Sequence, residues 1–250
     1  MENIHFATMY VGGPGSGKTY NACTYPKVAM ISTEPNHHWV WELNPHLKQN
    51  IVWQKYFIPD SDDEGSFKTY FKDITAAIGE IKGLYSEGKV ETLCVDNLTY
   101  LVHNRWLWLN RFQPIIGKGG ELDTRGMYGQ LRTWGYEFTL MRILSFKGHV
   151  VATVHEMLES EDALDKKIDK TMDKVPNLLG SFRQDVIGLF SNVFYLTKVK
   201  TERGYEYKAR TNKGAGKEAK NRFNLPEIID NVSYQRIMEE VNKSMKGGTQ

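Results

Sequence analysis

The chain has 250 residues, 40% of them hydrophobic and 25% charged, and a formal net charge of +2. This length fits one large domain, and the balance of residue types is that of an ordinary globular protein. It excludes collagen, a coiled-coil rod and disorder throughout the chain. The small net charge does not by itself indicate a nucleic-acid partner.

The first half of the chain alternates short apolar runs with longer amphipathic stretches. The apolar runs predict buried strands at residues 6–11, 28–32, 51–53 and 92–95. Apolar residues spaced by three or four predict helices over 67–85, closed by Gly88, and over 98–112.

The second half continues this alternation. We predict a loop at 114–126, a helix at 131–144 and a strand at 150–154, followed by a highly charged segment at 156–176. Further helices are predicted at 177–190 and 226–246, and a β-hairpin pairs 194–199 with 205–210. The alternation predicts an α/β fold, with a mostly parallel sheet flanked by helices. We place a core domain at 1–225, and a C-terminal helix with a flexible tail at 226–250.

The most specific motif follows the first strand. It has the spacing of a phosphate-binding loop, in which glycines let backbone N–H groups wrap around phosphate oxygens. Its residues are Gly12, Gly13, Pro14, Gly15, Ser16, Gly17, Lys18 and Thr19. Lys18 would lie between the β- and γ-phosphates, and the Thr19 hydroxyl would ligate Mg²⁺.

Two acidic residues follow other predicted strands. Asp96 ends the run at 92–95, where phosphate-loop enzymes place a carboxylate beside Mg²⁺. An alternative is that Asp96 caps the helix that begins at Leu98. Glu34 follows the strand at 28–32 and would lie at the same sheet edge, where it could polarise an attacking water.

These motifs, together with the strand that ends at His155-Glu156, resemble the RecA-type ATPase core. Within that group the chain is most similar to compact phage-encoded ATP-binding proteins linked to single-strand annealing and recombination. The Lys-Ala-Arg-Thr run at 208–211 and the basic segment after it are also similar to that group. The resemblance covers most of residues 5–225.

The resemblance implies roles for particular residues, with ATP and Mg²⁺ as cofactors. Glu34 would activate the hydrolytic water, and Asp96 would be the Mg²⁺-linked aspartate. His155 would sense the γ-phosphate, although RecA-type recombinases usually carry glutamine there. The family assembles into rings or filaments with ATP between subunits, and a neighbouring subunit supplies cations to the γ-phosphate. The candidates for that role are Lys208, Arg210 and Lys213.

Two basic stretches suggest single-stranded DNA as a partner. Residues 101–150 carry 7 Lys and Arg against 3 Asp and Glu, and residues 199–250 carry 11 against 7. Loops facing a central channel would bind the DNA. One candidate is the loop 114–126, with Lys118 and Arg125, and a second is the charged segment 156–176, with Lys166, Lys167, Lys170 and Lys174. The basic segment 213–222 is a third candidate. A single-strand DNA-binding protein is a further expected partner.

Two other functions share the phosphate loop. A nucleotide or small-molecule kinase would transfer phosphate to an acceptor, and a nucleotide-binding scaffold would bind without turnover. Two cysteines, Cys23 and Cys94, and an N-terminus without signal-peptide features favour the cytoplasm, here of a bacterial host cell for a phage protein. No apolar run approaches the roughly 20 residues of a membrane span, so we expect no membrane partner.

Overall fold

The computed structural model describes residues 4–34, 39–158, 174–202, 204–214 and 217–247. The strands are β1 (Ala7–Gly12), β2 (Val28–Ser32), β3 (Ile51–Tyr56), β4 (Thr92–Asp96), β5 (His149–Leu158), β6 (Lys174–Pro176), β7 (Asn192–Thr201), β8 (Gly204–Arg210) and β9 (Ile228–Asp230). The helices are α1 (Lys18–Ala22), α2 (Trp39–Glu42), α3 (Pro45–Lys48), α4 (Glu64–Ser86), α5 (Leu98–Phe112), α6 (Thr124–Glu137), α7 (Phe182–Leu189) and α8 (Tyr234–Gly247). A π-helical segment, Phe138–Ile143, extends α6.

The described strands form one sheet in the order β3-β2-β4-β5-β1-β7-β8-β9. Strand β6 lies off this order and pairs with the carboxyl end of β5. From β3 to β7 all neighbours are parallel. The hairpin strand β8 is antiparallel to β7, and β9 is antiparallel to β8. The predicted α/β class, the mostly parallel sheet and the C-terminal hairpin are therefore confirmed.

Alternate residues of the strands supply two cores, one on each face of the sheet. On β1, Met9 and Val11 pack with α4, α5, α6 and α7, whereas Tyr10 packs on the opposite face with α1 and α8. This alternation is the ordinary consequence of the two-residue period of a strand. Both faces are thus covered, which accounts for the nearly continuous apolar sequence of the central strands.

Several boundaries differ from the sequence predictions, and three of these differences have a clear structural cause. Helix α6 begins inside the predicted loop 114–126, because the Asp123 carboxylate accepts from the Gly126 amide at 2.9 Å and caps the helix. The predicted helix 177–190 begins only at Phe182, after Gly180 adopts a positive φ of 61°. The start of the predicted helix 226–246 is instead strand β9, which pairs with β8.

The division of the chain after residue 225 stays a prediction. In the structure, β9 joins the central sheet, and Ile237 and Val241 of α8 are buried in the same core as Tyr10 and Phe194. No described helix is both long and apolar enough to cross a membrane.

His149 joins α8 to the amino end of the sheet. The Phe6 amide donates to Nδ1 at 3.1 Å, and Nε2 lies 3.2 Å from the Tyr234 hydroxyl. Because Nδ1 accepts, the neutral ring carries its proton on Nε2 and donates it to Tyr234. Burial, with a smaller contribution from the nearby His5, lowers the pKa of His149 from 6.5 to about 4.

This lowered pKa predicts a loss of stability in mild acid. Between pH 6.5 and 4 the unfolded chain binds a proton at His149 that the folded chain excludes, so the free energy of unfolding falls as the pH falls. The loss between pH 7 and 5 is about 2 kcal/mol from this residue alone. His149→Asn keeps an acceptor for the Phe6 amide but cannot titrate, and denaturant titrations at pH 7, 6 and 5 should show a flatter pH dependence.

His103→Asn is the matched control, because His103 is exposed on α5. It should leave the slope of stability against pH unchanged. An equal slope in the wild type and His149→Asn would contradict the prediction.

Candidate functional site

The phosphate-loop motif lies at the carboxyl edge of the sheet, between β1 and α1. Lys18 is only 7% exposed, and its Nζ donates to the carbonyl oxygens of Gly12 and Gly13, both at 2.8 Å. Burial lowers the pKa of Lys18, while the carboxylates of Asp96, Glu34 and Glu156 act in the opposite direction. The loop therefore holds a desolvated cation that suits a phosphate ligand, whereas the nearby carboxylates oppose such a ligand unless further cations balance them.

Gly17 is required by both its backbone and its surroundings. Its φ is +91°, and a Cβ there would lie 2.5 Å from the ring of Tyr207 on the hairpin. A side chain at Gly17 would therefore strain the turn and displace the hairpin from the loop. Helix α1, which follows, has only five residues. Lys18, at the start of this helix, is the cationic side chain of the loop.

Thr19 and Asp96 meet beside the loop. The Thr19 hydroxyl donates to Asp96 Oδ2 at 2.7 Å, and the other carboxylate oxygen accepts from Thr153 of the intervening strand β5. Asp96 is 1% exposed. A hydroxyl and a carboxylate oxygen are hard ligands of the kind that Mg²⁺ takes, together with phosphate oxygens and waters. The pair fits the Mg²⁺ expected from the sequence.

The alternative role of Asp96 as a helix cap is taken by its neighbour. Asn97 is the N-cap of α5, and its Oδ1 accepts from the Tyr100 amide at 2.9 Å. This bond fixes the orientation of the Asn97 amide, whose Nδ2 points into the site. Asp96 is thus not needed to cap α5.

Glu34 is held at the edge of the site by Asn97. Asn97 Nδ2 donates to Glu34 Oε2 at 2.6 Å and to His155 Nε2 at 3.0 Å, and the Glu34 and His155 atoms are 3.5 Å apart. Thr33 supports this arrangement, because its hydroxyl donates to the Asn97 carbonyl at 2.6 Å and accepts from the Asn97 amide. Glu34 remains 29% exposed, so a water could reach it.

His155 lies beside the loop because of strand register. It pairs with Gly12 across β5 and β1, and its amide donates to the Thr99 hydroxyl at 3.0 Å. The ring of Tyr100 contacts it edge-on at 5.9 Å. The structure thus brings Lys18, Thr19, Glu34, Asp96 and His155 together at one edge of the sheet, while their roles stay predictions. Asn97 was missed, although an asparagine directly after a strand-ending aspartate and before a helix was a usable signal.

A cavity of about 300 Å³ adjoins the loop. Lys18, Thr19 and two glycines of the loop form one side of it. The other side is mostly aromatic and apolar, with one amide, and is formed by Tyr20, Trp39, Val40, Leu43, Asn44 and Tyr207. The rings of Tyr20 and Tyr207 are 5.3 Å apart and inclined by 32°. Such a concave, mostly apolar surface with a convergent polar group suits a planar heterocycle.

Two of the three candidate cations for a neighbouring site have acidic partners in their own chain. Lys208 pairs with Asp230 at 2.7 Å, which raises the pKa of Lys208, and Arg210 forms an ion pair with Glu227. Lys213 is exposed. A role for any of the three at a neighbouring subunit's site stays a prediction.

The candidate DNA residues fall in different places. Lys118 is exposed in the loop between α5 and α6, and Arg125 is exposed in the first turn of α6 rather than in a loop. Lys174 is bonded to Glu156 beside the phosphate loop. The remaining three, Lys166, Lys167 and Lys170, lie outside the described residues.

Comparison with known proteins gives one family. A family model described as an AAA domain matches residues 7–223. No curated protein matches the chain. The match spans all of the site residues described above, from the phosphate loop to the hairpin. The chain therefore belongs to the AAA-domain family of nucleotide-binding ATPases.

Proposed function

We propose that this protein binds and hydrolyses ATP as an oligomer, and that it binds single-stranded DNA in phage-type recombination or strand annealing. The observation that carries the ATPase part is the hydrogen bond between Thr19 and Asp96, with Glu34 close to the same loop. The DNA-binding and recombination parts rest on the basic stretches of the sequence and on its resemblance to phage recombination ATPases.

The phosphate loop and the adjoining cavity divide the binding of ATP. Lys18 and the loop amides bind the phosphates, and the cavity lined by Tyr20 and Tyr207 receives the base. Thr19 and Asp96 would hold Mg²⁺, which when bound neutralises charge on the β- and γ-phosphates. Moving Lys18 from the Gly12 and Gly13 carbonyls to the phosphates exchanges neutral acceptors for charged ones.

Glu34 acts on the attacking water. It accepts a proton as the water oxygen bonds to the γ-phosphorus, and the bond from that phosphorus to the bridging oxygen of ADP breaks. The amide of Asn97 holds one carboxylate oxygen and so orients the other toward the water. His155 shares that amide, so a displacement of Glu34 changes the hydrogen bonding of His155 as well.

The terminal phosphate would receive a further cation from a neighbouring subunit. Arg210 lies at the end of β8, in register with Tyr195, which in turn pairs with Val11 of the phosphate-loop strand. A positioned cation at the transition state is worth about 10³ or more in rate. Arg210 would have to exchange Glu227 for that phosphate when subunits assemble.

Glu34 is expected to be the general base of ATP hydrolysis, which takes the proton of the attacking water. Glu34→Gln should retain nucleotide affinity but lose at least about a hundredfold in kcat, because an amide cannot accept the proton. Lys18→Ala should instead lose tight nucleotide binding with the fold intact. Calorimetric titration with ATP and a phosphate-release assay separate the two effects, and Glu239→Gln on the exposed face of α8 is the control. If Glu34→Gln turns over ATP at nearly the rate of the wild type, another group must activate the attacking water.

The second prediction concerns DNA. Single-stranded DNA should bind with an affinity that falls as salt rises, with a log–log slope of about −0.7 for each neutralised phosphate. Lys118→Gln with Arg125→Gln should weaken binding and reduce the slope, whereas Lys243→Gln with Arg236→Gln on α8 should change neither. Binding that ignores salt, or none with ATP present, would instead favour a kinase or a scaffold, and phosphate transfer to a small acceptor would identify the kinase.

The third prediction concerns Arg210. An Arg210→Ala subunit keeps its own phosphate loop, and a Lys18→Ala subunit still offers Arg210 to its neighbour. Mixing two inactive variants should therefore restore part of the ATPase activity, since roughly a quarter of randomly formed interfaces are complete. Native mass spectrometry would verify that mixed oligomers form. Without recovery in such oligomers, Arg210 would act only within its own chain, as its pair with Glu227 allows.

A further inference from the structure

Glu156 places a negative charge directly against the phosphate loop. A Cβ added to Gly13 would lie 3.3 Å from Glu156 Oε1, so this carboxylate lies beside the loop with only the space of a side chain between them. Its side chain is 16% exposed, and Oε2 is buried without a hydrogen-bond partner among the described residues. A carboxylate in this position repels a phosphate bound in the loop, unless a cation lies between them or nearby.

Lys174 is that nearby cation. Its Nζ donates to Glu156 Oε1 at 2.7 Å, so the ammonium is one contact away from the loop. Strand β6 brings it there, because β6 pairs antiparallel with the part of β5 that runs beyond His155. The Lys174 side chain is 45% exposed, which leaves it room to change partners.

Other cations surround the same carboxylate. Lys217 is paired by a backbone bridge with Lys174, and its Nζ lies 5.7 Å from the ring of Tyr195. Burial lowers the pKa of Lys217, Glu156 acts to raise it, and Lys174 and Arg210 act to lower it. Arg210 is balanced by Glu227, so Lys174 and Lys217 share the single carboxylate of Glu156. These two lysines and Glu156 carry one excess positive charge, which a phosphate oxygen would balance.

We propose that Lys174 is an in-chain cation for the terminal phosphate of ATP, and that Glu156 holds it in place when this phosphate is absent. The inference rests on the proposed ATP site but not on hydrolysis or on DNA. When ATP binds, the Lys174 ammonium exchanges Glu156 Oε1 for a γ-phosphate oxygen, and Lys217 balances the carboxylate. ADP lacks that phosphate, so with ADP bound Lys174 keeps its hydrogen bond to Glu156. The Lys174 ammonium therefore distinguishes ATP from ADP.

The test is the ratio of affinities for a non-hydrolysable ATP analogue and for ADP, both with Mg²⁺, measured by calorimetric titration on the full chain. Lys174→Met should lower the analogue's affinity about tenfold relative to that of ADP, because a charge-assisted contact is lost and Glu156 is left unbalanced. Lys174→Arg keeps the charge and should retain most of the ratio. Glu156→Gln should raise the ratio, and the double variant Glu156→Gln/Lys174→Met should return toward the wild type.

Lys243→Met is the matched control, because Lys243 forms a similar ion pair with Glu240 at 2.9 Å on α8. It should leave the ratio unchanged. An unchanged ratio in folded Lys174→Met, or an equal loss of affinity for both nucleotides, would overturn the inference, and so would a wild type that binds neither nucleotide. A chain that shows the expected ratios but neither hydrolyses ATP nor binds DNA would refute the proposed function and leave this inference intact.

Discussion

The parallel register of β1, β5 and β4 determines where the chemistry of this protein can occur. Strand β5 lies between the other two. The phosphate loop follows β1 on one side of β5, and Asp96 ends β4 on the other side. Thr19 spans this gap with a 2.7 Å hydrogen bond to Asp96, and Thr153 of β5 holds the second carboxylate oxygen. A register shift of one residue would turn these side chains to other faces and separate them.

Around this bond the site is organised by charge. Lys18 is buried among three carboxylates, of which Asp96 and Glu34 have proposed roles in metal binding and proton transfer. Glu156 has neither of these roles; it accepts a hydrogen bond from Lys174, and we propose that this bond depends on which nucleotide is bound. Asn97 connects Glu34 and His155 through one amide group, so the base and the candidate sensor share a support.

Lys18 and Thr19 were predictable from the spacing of the phosphate-loop motif. Glu34 and Asp96 were predictable because each follows or ends a strand, and all carboxyl ends of a parallel sheet meet at one edge. Lys174 was expected in a DNA-binding loop. Its position beside Glu156 was not predicted, because it depends on the antiparallel pairing of β6 with β5, which no local sequence pattern indicates. Likewise β9 was predicted as helix, because its pairing with β8 is a long-range interaction that overrides local preference.

The central claim is that Thr19 and Asp96 form the metal side of an ATP site, and the most direct test is the Mg²⁺ dependence of ATP affinity in Thr19→Val. Valine preserves the shape of threonine but removes the hydroxyl, while Lys18 and the loop amides remain. Calorimetric titrations with Mg²⁺ and with EDTA should show that Mg²⁺ strengthens ATP binding to the wild type. In Thr19→Val this strengthening should be mostly lost, with the affinity in EDTA retained. Equal strengthening by Mg²⁺ in both proteins would contradict the assignment of this pair as the metal site.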